Sequence, residues 1–244
     1  TGVYYAGMRP PVIASLDEDA LAAYLLREAT DGIGETGIRP GFVKAAQNVL
    51  GPDGRIHPDE VMSIRACARV AGEAGLSLHI HTGFPLTADH VERAVDLVVD
   101  EVGLPPERVV MLHLDSLLRR ADSALAYVGS LDTTKGVDID APLRALDRGV
   151  NVSFDSWGAA LDTPGYMLPD DHDRMKGLFA LVERGYEHQL VVGHDLANRA
   201  CGVQHGAHGF LRAPQYVPLM LGLLGRPDAA ASILTANPAR ILGR

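Results

Sequence analysis

Six short runs of β-branched and apolar residues divide this chain: Val3–Tyr5, Gly41–Ala45, Leu76–Thr82, Val109–Leu114, Val150–Asp155 and Leu190–Asp195. Between them lie longer stretches of helical period. Parallel strands need a crossover of a dozen or more residues, and that crossover is ordinarily a helix. The alternation therefore predicts an α/β fold with repeated strand–helix units around a parallel sheet, about six units in all.

Helix starts are marked by capping chemistry. Ser15 precedes Leu16-Asp17-Glu18, Pro58-Asp59-Glu60 opens a run to Ala74, and Thr87-Ala88-Asp89 opens Val91–Val102. Such residues satisfy the orphan N–H groups of a first helical turn. Gly75, Gly103, Gly149 and Gly185 stand where those helices should stop. Ser116–Asp140 is longer than one helix requires and is expected to hold a helix plus an inserted loop. Leu161–Asp173, with two prolines and four aspartates, is expected to be a loop. No compositional break or short repeat interrupts the chain, so a single domain spanning 1–244 is expected.

The strands end in groups that can carry chemistry. Lys44 closes Gly-Phe-Val-Lys, His79 and His81 close Leu-His-Ile-His-Thr, and His113 closes Met-Leu-His. Asp155 closes Ser-Phe-Asp, and His194-Asp195 close the last run. In a parallel barrel the C-terminal strand ends share one rim, where the connecting loops build the active site. One histidine at a strand end is more often a core residue bonded to a carbonyl. Imidazoles and a carboxylate at the same end of successive strands are what a metal centre needs.

Lys44 is the least ordinary of these residues. An ammonium on an apolar strand is costly to bury unless it is paired or neutralised. A salt bridge to a nearby acid is one solution. A carbamate formed with carbon dioxide is the other, giving an anion whose two oxygens can bridge two divalent ions. His79 and His81 share a face by the two-residue strand period. His81, nearer the rim, is the metal candidate and His79 a deeper supporting group. Asp195 can bind metal and accept a proton from bound water. His194, pointing the other way, is structural.

At these residues the chain resembles the phosphotriesterase family of the amidohydrolase superfamily, which includes phosphotriesterase-like lactonases. The resemblance rests on Gly41-Phe42-Val43-Lys44, His81-Thr82, His113, Gly185-Tyr186, Val192-Gly193-His194-Asp195 and Asn237-Pro238-Ala239-Arg240. Thr1-Gly2-Val3-Tyr4-Tyr5 resembles that family's third barrel strand. It implies a (β/α)8 barrel of the TIM type and a centre of two divalent metal ions, zinc first, with manganese or cobalt also accepted. Lys44 would be the carbamylated bridge, with His81 and His113 on one metal and Asp195 on the other. A metal-activated hydroxide would cleave lactones, carboxylic esters or organophosphate triesters, with Asp195 and Tyr4 as catalytic residues. Trp157 and Phe84 are the expected substrate contacts, although Ser156 stands where the lactonase pattern has an arginine.

The family also places a His-x-His pair on its first strand, which this sequence does not contain. About two strand–helix units are therefore expected to precede Thr1, because the fold closes with eight. Two alternatives follow from that gap: a catalytically impaired barrel that binds a small ligand, or a fragment completed by a partner chain. Reading His79-Ile80-His81 as the pair is disfavoured, since Lys44 precedes it.

The net charge of −9 argues against nucleic acid, whose binding depends on Lys and Arg displacing counterions. No apolar run approaches the roughly 20 residues of a membrane span. Only two cysteines, Cys67 and Cys201, are present, and no leader pattern stands at the start, which together favour the cytoplasm. The expected partner is a small-molecule substrate, and a homodimer is compatible with the pattern.

Overall fold

A computed structural model describes every residue except Phe84, 119–135, Ala160, Leu161, Pro164, Gly165, Asn198 and Arg244. The chain forms two compact units. One comprises Thr1–Leu112, Arg144–Asn151 and Ala239–Arg244, and the other His113–Leu143 and Val152–Pro238.

In the first unit, strands β1 (Phe42–Gln47), β2 (Ser77–Thr82) and β3 (Val109–Leu112) pair in parallel. The register sets Lys44 opposite His79 and Ala46 opposite His81. Because side chains alternate along a strand, Phe42, Lys44, His79 and His81 share one face of this sheet. Val43, Ala45, Leu78 and Ile80 occupy the other and are fully buried. Helix Pro58–Ala74 packs on β1 and presents Ile64, Cys67, Val70 and Ala71 to the core. Each such aliphatic side chain contributes about 1.5–3 kcal/mol by leaving water. Gly75, in the left-handed conformation at φ 67°, ends that helix as expected.

Helix Glu18–Asp31 lies against Pro58–Ala74, pinned by Arg65 to Glu18 and by Arg69 to Glu18 and Asp19. Its cap is Asp17, whose carboxylate accepts from the Ala20 N–H at 2.8 Å. Ser15 does not cap it. That residue closes the preceding turn Pro11–Ala14, and its hydroxyl donates to the Val12 carbonyl. Helix Ala88–Val95 runs into a wider π turn, Asp96–Glu101, before Gly103.

Val3–Tyr5 is not a strand. Contact with β1 is a single parallel bridge, Gly2 to Lys44, flanked by hydrogen bonds from Val3 N to Lys44 O and from Lys44 N to Thr1 O, both 2.8 Å. The chain then turns into a 3-10 helix at Ala6–Met8. Gly2 is required at the bridge, because a Cβ there would sit 2.0 Å from the Lys44 carbonyl oxygen.

In the second unit, Val152–Phe154 of strand β4 (Asn151–Phe154) pair in parallel with β7 (Leu190–Val192). Between them, β5 (Asp162–Thr163) and β6 (Tyr166–Met167) form a small antiparallel pairing in the stretch expected to be a loop. Helix Asp171–Val182 starts at Asp170, whose carboxylate accepts from the N–H groups of His172 and Asp173. Helix Arg212–Leu223 follows β7. Asn237 fixes the start of β7 by donating to the carbonyls of Glu187 and Leu190. The helix-plus-loop expected for Ser116–Asp140 falls mostly on 119–135, outside the described residues.

Parallel strands alternating with helices are the elements of a (β/α)8 barrel, of which this chain carries a part. Among the described residues no helix is long and apolar enough to cross a membrane.

Candidate active site

Three strands stop short of the residues that were expected to end them, whereas β1 runs on past Lys44 to Gln47. β3 ends at Leu112, β4 at Phe154 and β7 at Val192, so His113, Asp155 and Asp195 lie in the connections that follow. The reason is backbone geometry. His113 has φ 61° and Asp195 φ 42°, and they are the only non-glycine residues with positive φ among those described. A left-handed residue leaves the strand ladder and turns its side chain out of the pleat. Such conformations cost of order 1–3 kcal/mol and persist where the surroundings enforce them, most often at functional sites.

The enforcement at His113 is visible. Its N–H donates to Asp155 Oδ2 at 3.3 Å, and its Nδ1 lies 2.6 Å from Asp155 Oδ1. Its carbonyl accepts from both the N–H and the hydroxyl of Ser116, at 2.9 and 2.6 Å. Burial opposes charge on the imidazole, but the Asp155 carboxylate, with Asp195 and Asp115 adding to it, leaves the His113 pKa raised. Asp155 shows the converse. Burial pushes its pKa up, while the His113 imidazolium and hydrogen bonds pull it below the ordinary value. Asp195 is exposed, and it stands near enough for its charge to act on His113.

Behind Asp155 lies a buried ionic chain. Asp115 accepts from the backbone N–H groups of Asp155 and Ser156 and from Arg174 Nε, the last at 2.8 Å. Arg174 and Asp115 are both fully buried. Burial and the neighbouring Asp155 raise the Asp115 pKa, against the pull of Arg174. Arg174 Nη1 also donates to Asp171, which in turn holds Arg212 and the Gly158 N–H. Gly193 allows β7 to pass close by, since a Cβ there would meet Asp155 Cβ at 3.1 Å.

In the first unit, Lys44 is half-buried on β1 and, among the described residues, makes no ion pair. His81, on the same face, has its ring edge-on to Tyr4 with centroids 5.0 Å apart. His79 stacks on Phe42 at 4.4 Å and shares a hydrogen bond with Ser77. His194 accepts from the Ala213 N–H at 3.0 Å, and burial lowers its pKa.

Trp157 requires a correction as a substrate contact. It is wholly buried, its indole N–H donating to the Phe154 carbonyl at 3.0 Å, so it packs in the core beneath the connection. Phe84, the other expected contact, lies outside the described residues. Among the described residues no three His, Cys, Asp or Glu side chains are gathered into a metal cage. The fit to a metal rests instead on the chemistry of individual donors. A histidine held at Nδ1 by a carboxylate presents Nε2 as its metal-facing nitrogen, the usual arrangement of ligating histidines. Sequence reasoning noted Asp155 at a strand end but assigned it no role, and it did not single out Asp115 or Arg174.

A model of the phosphotriesterase family matches residues 119–242, half of the chain. The N-acetyltaurine hydrolase of Dictyostelium discoideum is 24% identical over 235 residues, covering 94% of this chain and 57% of that protein. A phosphotriesterase-related protein of Nematostella vectensis is 26% identical over 245 residues, covering 98% and 62%. Among solved structures, a resiniferatoxin-binding protein from Rhodobacter sphaeroides superposes with a TM-score of 0.80 at 22% identity, covering 99% of this chain and 62% of that one. The phosphotriesterase homology protein of Escherichia coli, complexed with phosphate in its active site, gives 0.78 at 22%, covering 99% and 72%. The chain thus spans about six tenths of the length of the curated relatives it matches.

Proposed function

Because this chain belongs to the phosphotriesterase family, we propose that the protein is a metal-dependent hydrolase of carbonyl or phosphoryl compounds. The observation that carries this reading is the left-handed backbone at His113 and Asp195, two residues chosen as ligands from the sequence and now found to share a conformation that needs enforcing. The proposed metal-binding residues are Lys44, His81, His113 and Asp195. Lys44 is assigned as the carbamate.

Two divalent ions held by these residues, zinc first and manganese or cobalt next, would supply a Lewis acid and lower the pKa of coordinated water. The protein's own groups do the rest. Asp155 fixes the ring orientation and tautomer of His113. Asp195 takes the proton released when water attacks the substrate, and Tyr4, whose ring lies edge-on to His81, is the proposed hydrogen-bonding group near the attacking oxygen. The substrate classes are lactones, carboxylic esters and organophosphate triesters. The names of the relatives add carboxamides such as N-acetyltaurine, whose acyl carbon undergoes the same attack.

The test is turnover after chelation and reconstitution with zinc, manganese or cobalt, against an acyl lactone, an aryl ester, an aryl phosphotriester and N-acetyltaurine. Metal-dependent hydrolysis of at least one is expected. A protein that binds metal but turns over none of them would favour the second reading, a barrel that binds a small ligand without cleaving it. The absence of an assembled cage among the described residues is the observation on that side.

A further inference from the structure

Arg174 sits on helix Asp171–Val182, where most arginines would face water, yet it is fully buried. Its guanidinium is committed in two directions. Nε donates to Asp115 at 2.8 Å and Nη1 to Asp171 at 2.9 Å, while Nη2 has no partner among the described residues. Burying a charge this deeply costs free energy that a well-packed apolar pair would not, so its retention calls for a local task. The geometry supplies one. Asp115, two residues beyond His113, uses its carboxylate to grip the backbone N–H groups of Asp155 and Ser156. Those N–H groups set the direction in which Asp155 leaves β4, and Asp155 in turn holds both the N–H and Nδ1 of His113.

We infer that Asp115 and Arg174 are positioning residues: Arg174 orients the Asp115 carboxylate, Asp115 fixes the backbone at Asp155–Ser156, and Asp155 thereby aims the His113 imidazole. The inference rests on the proposed role of His113 as a metal ligand. Arg174 touches neither ligand nor substrate. Its contribution is to keep the carboxylate that orients His113 from relaxing, and outer partners of this kind tune metal affinity by about 10- to 100-fold. The two-pronged contact also predicts how far substitution is tolerated. A lysine at 174 offers one compact ammonium and can serve Asp115 or Asp171 but not both in the same geometry.

The experiment compares Arg174→Met, Arg174→Lys and, as a control, Leu178→Ala, a buried residue of the same helix with no part in the chain of contacts. Two quantities are read: zinc affinity by competition with a chelator, and the Nδ1 proton resonance of His113 in metal-free protein. Arg174→Met is expected to bind zinc about 10- to 100-fold more weakly and to lose or shift that resonance. Arg174→Lys should recover part of both. Leu178→Ala should lower the unfolding temperature while leaving both readouts at the wild-type values. Arg174→Lys and the control keep the test decisive should Arg174→Met fold poorly. Wild-type affinity and an unmoved resonance in Arg174→Met, or equal losses in Leu178→Ala, would overturn the inference. A wild-type protein that binds no zinc would instead contradict the proposed function, and the resonance would still decide whether Arg174 positions His113.

Discussion

The Nδ1 of His113 lies 2.6 Å from Oδ1 of Asp155, and the same carboxylate accepts the His113 backbone N–H through its other oxygen. One side chain therefore fixes both the ring and the strained backbone of a proposed ligand. Asp155→Asn keeps the shape but cannot accept at both oxygens. Zinc affinity should fall by about 10- to 100-fold with the fold retained, as measured by chelator competition alongside circular dichroism. Affinity unchanged from wild type would remove Asp155 from the account.

Lys44 carries a different expectation. If it is the carbamate, protein exchanged into 13C-labelled bicarbonate should show a carbamate carbon signal that Lys44→Met lacks. Lys44→Met should also lose nearly all metal-dependent turnover. An identical carbon spectrum for the two proteins would leave Lys44 a plain ammonium.

Much of this was legible in the sequence, and the misses have physical causes. The β1, β2 and β3 positions follow from apolar patterning, because a parallel sheet buried on a face needs such runs. The ends of β3 and β7 were placed too late, since His113 and Asp195 turn into left-handed backbone there, and at His113 that turn is held by Asp155, which lies far off in the chain. Val3–Tyr5 has the composition of a strand, but its ladder with β1 is limited to the single bridge at Gly2 and the hydrogen bonds of Thr1 and Val3 beside it. Trp157 read as a pocket aromatic from its place just past a strand end beside Ser156, whereas its indole N–H is satisfied within the core by the main-chain carbonyl three residues back. Arg174 looks like any helical arginine until Asp115 is brought against it, and no local pattern announces that pairing.

Gly193 should resist substitution. A Cβ at 3.1 Å from Asp155 Cβ forces either β7 or Asp155 to move. Gly193→Ala is expected to cost about 1–3 kcal/mol in denaturant unfolding and to weaken zinc binding in the same direction as Asp155→Asn. Full stability and affinity would show that the contact relaxes freely.

Asp171 gives a pH signature away from the proposed ligands. Burial pushes its pKa up, but the Gly158 N–H, Arg212 and Arg174 leave it below the ordinary carboxylate value. A depressed folded-state pKa means stability that is present above the unfolded value and lost as pH falls through the folded one. Asp171→Asn should therefore be less stable than wild type near neutrality, by about 1.5–3 kcal/mol. The gap should close below about pH 4. Urea midpoints for both proteins from neutral to acid pH check this, and a gap independent of pH would contradict it.

The most direct test of the central claim is elemental analysis of the chelated protein after incubation with zinc and removal of free metal. The account predicts zinc retained in stoichiometric amount by the wild type and lost from His113→Ala and Asp195→Asn, with each variant still folded. A folded wild type that retains no zinc, or variants that hold as much as the wild type, would contradict it.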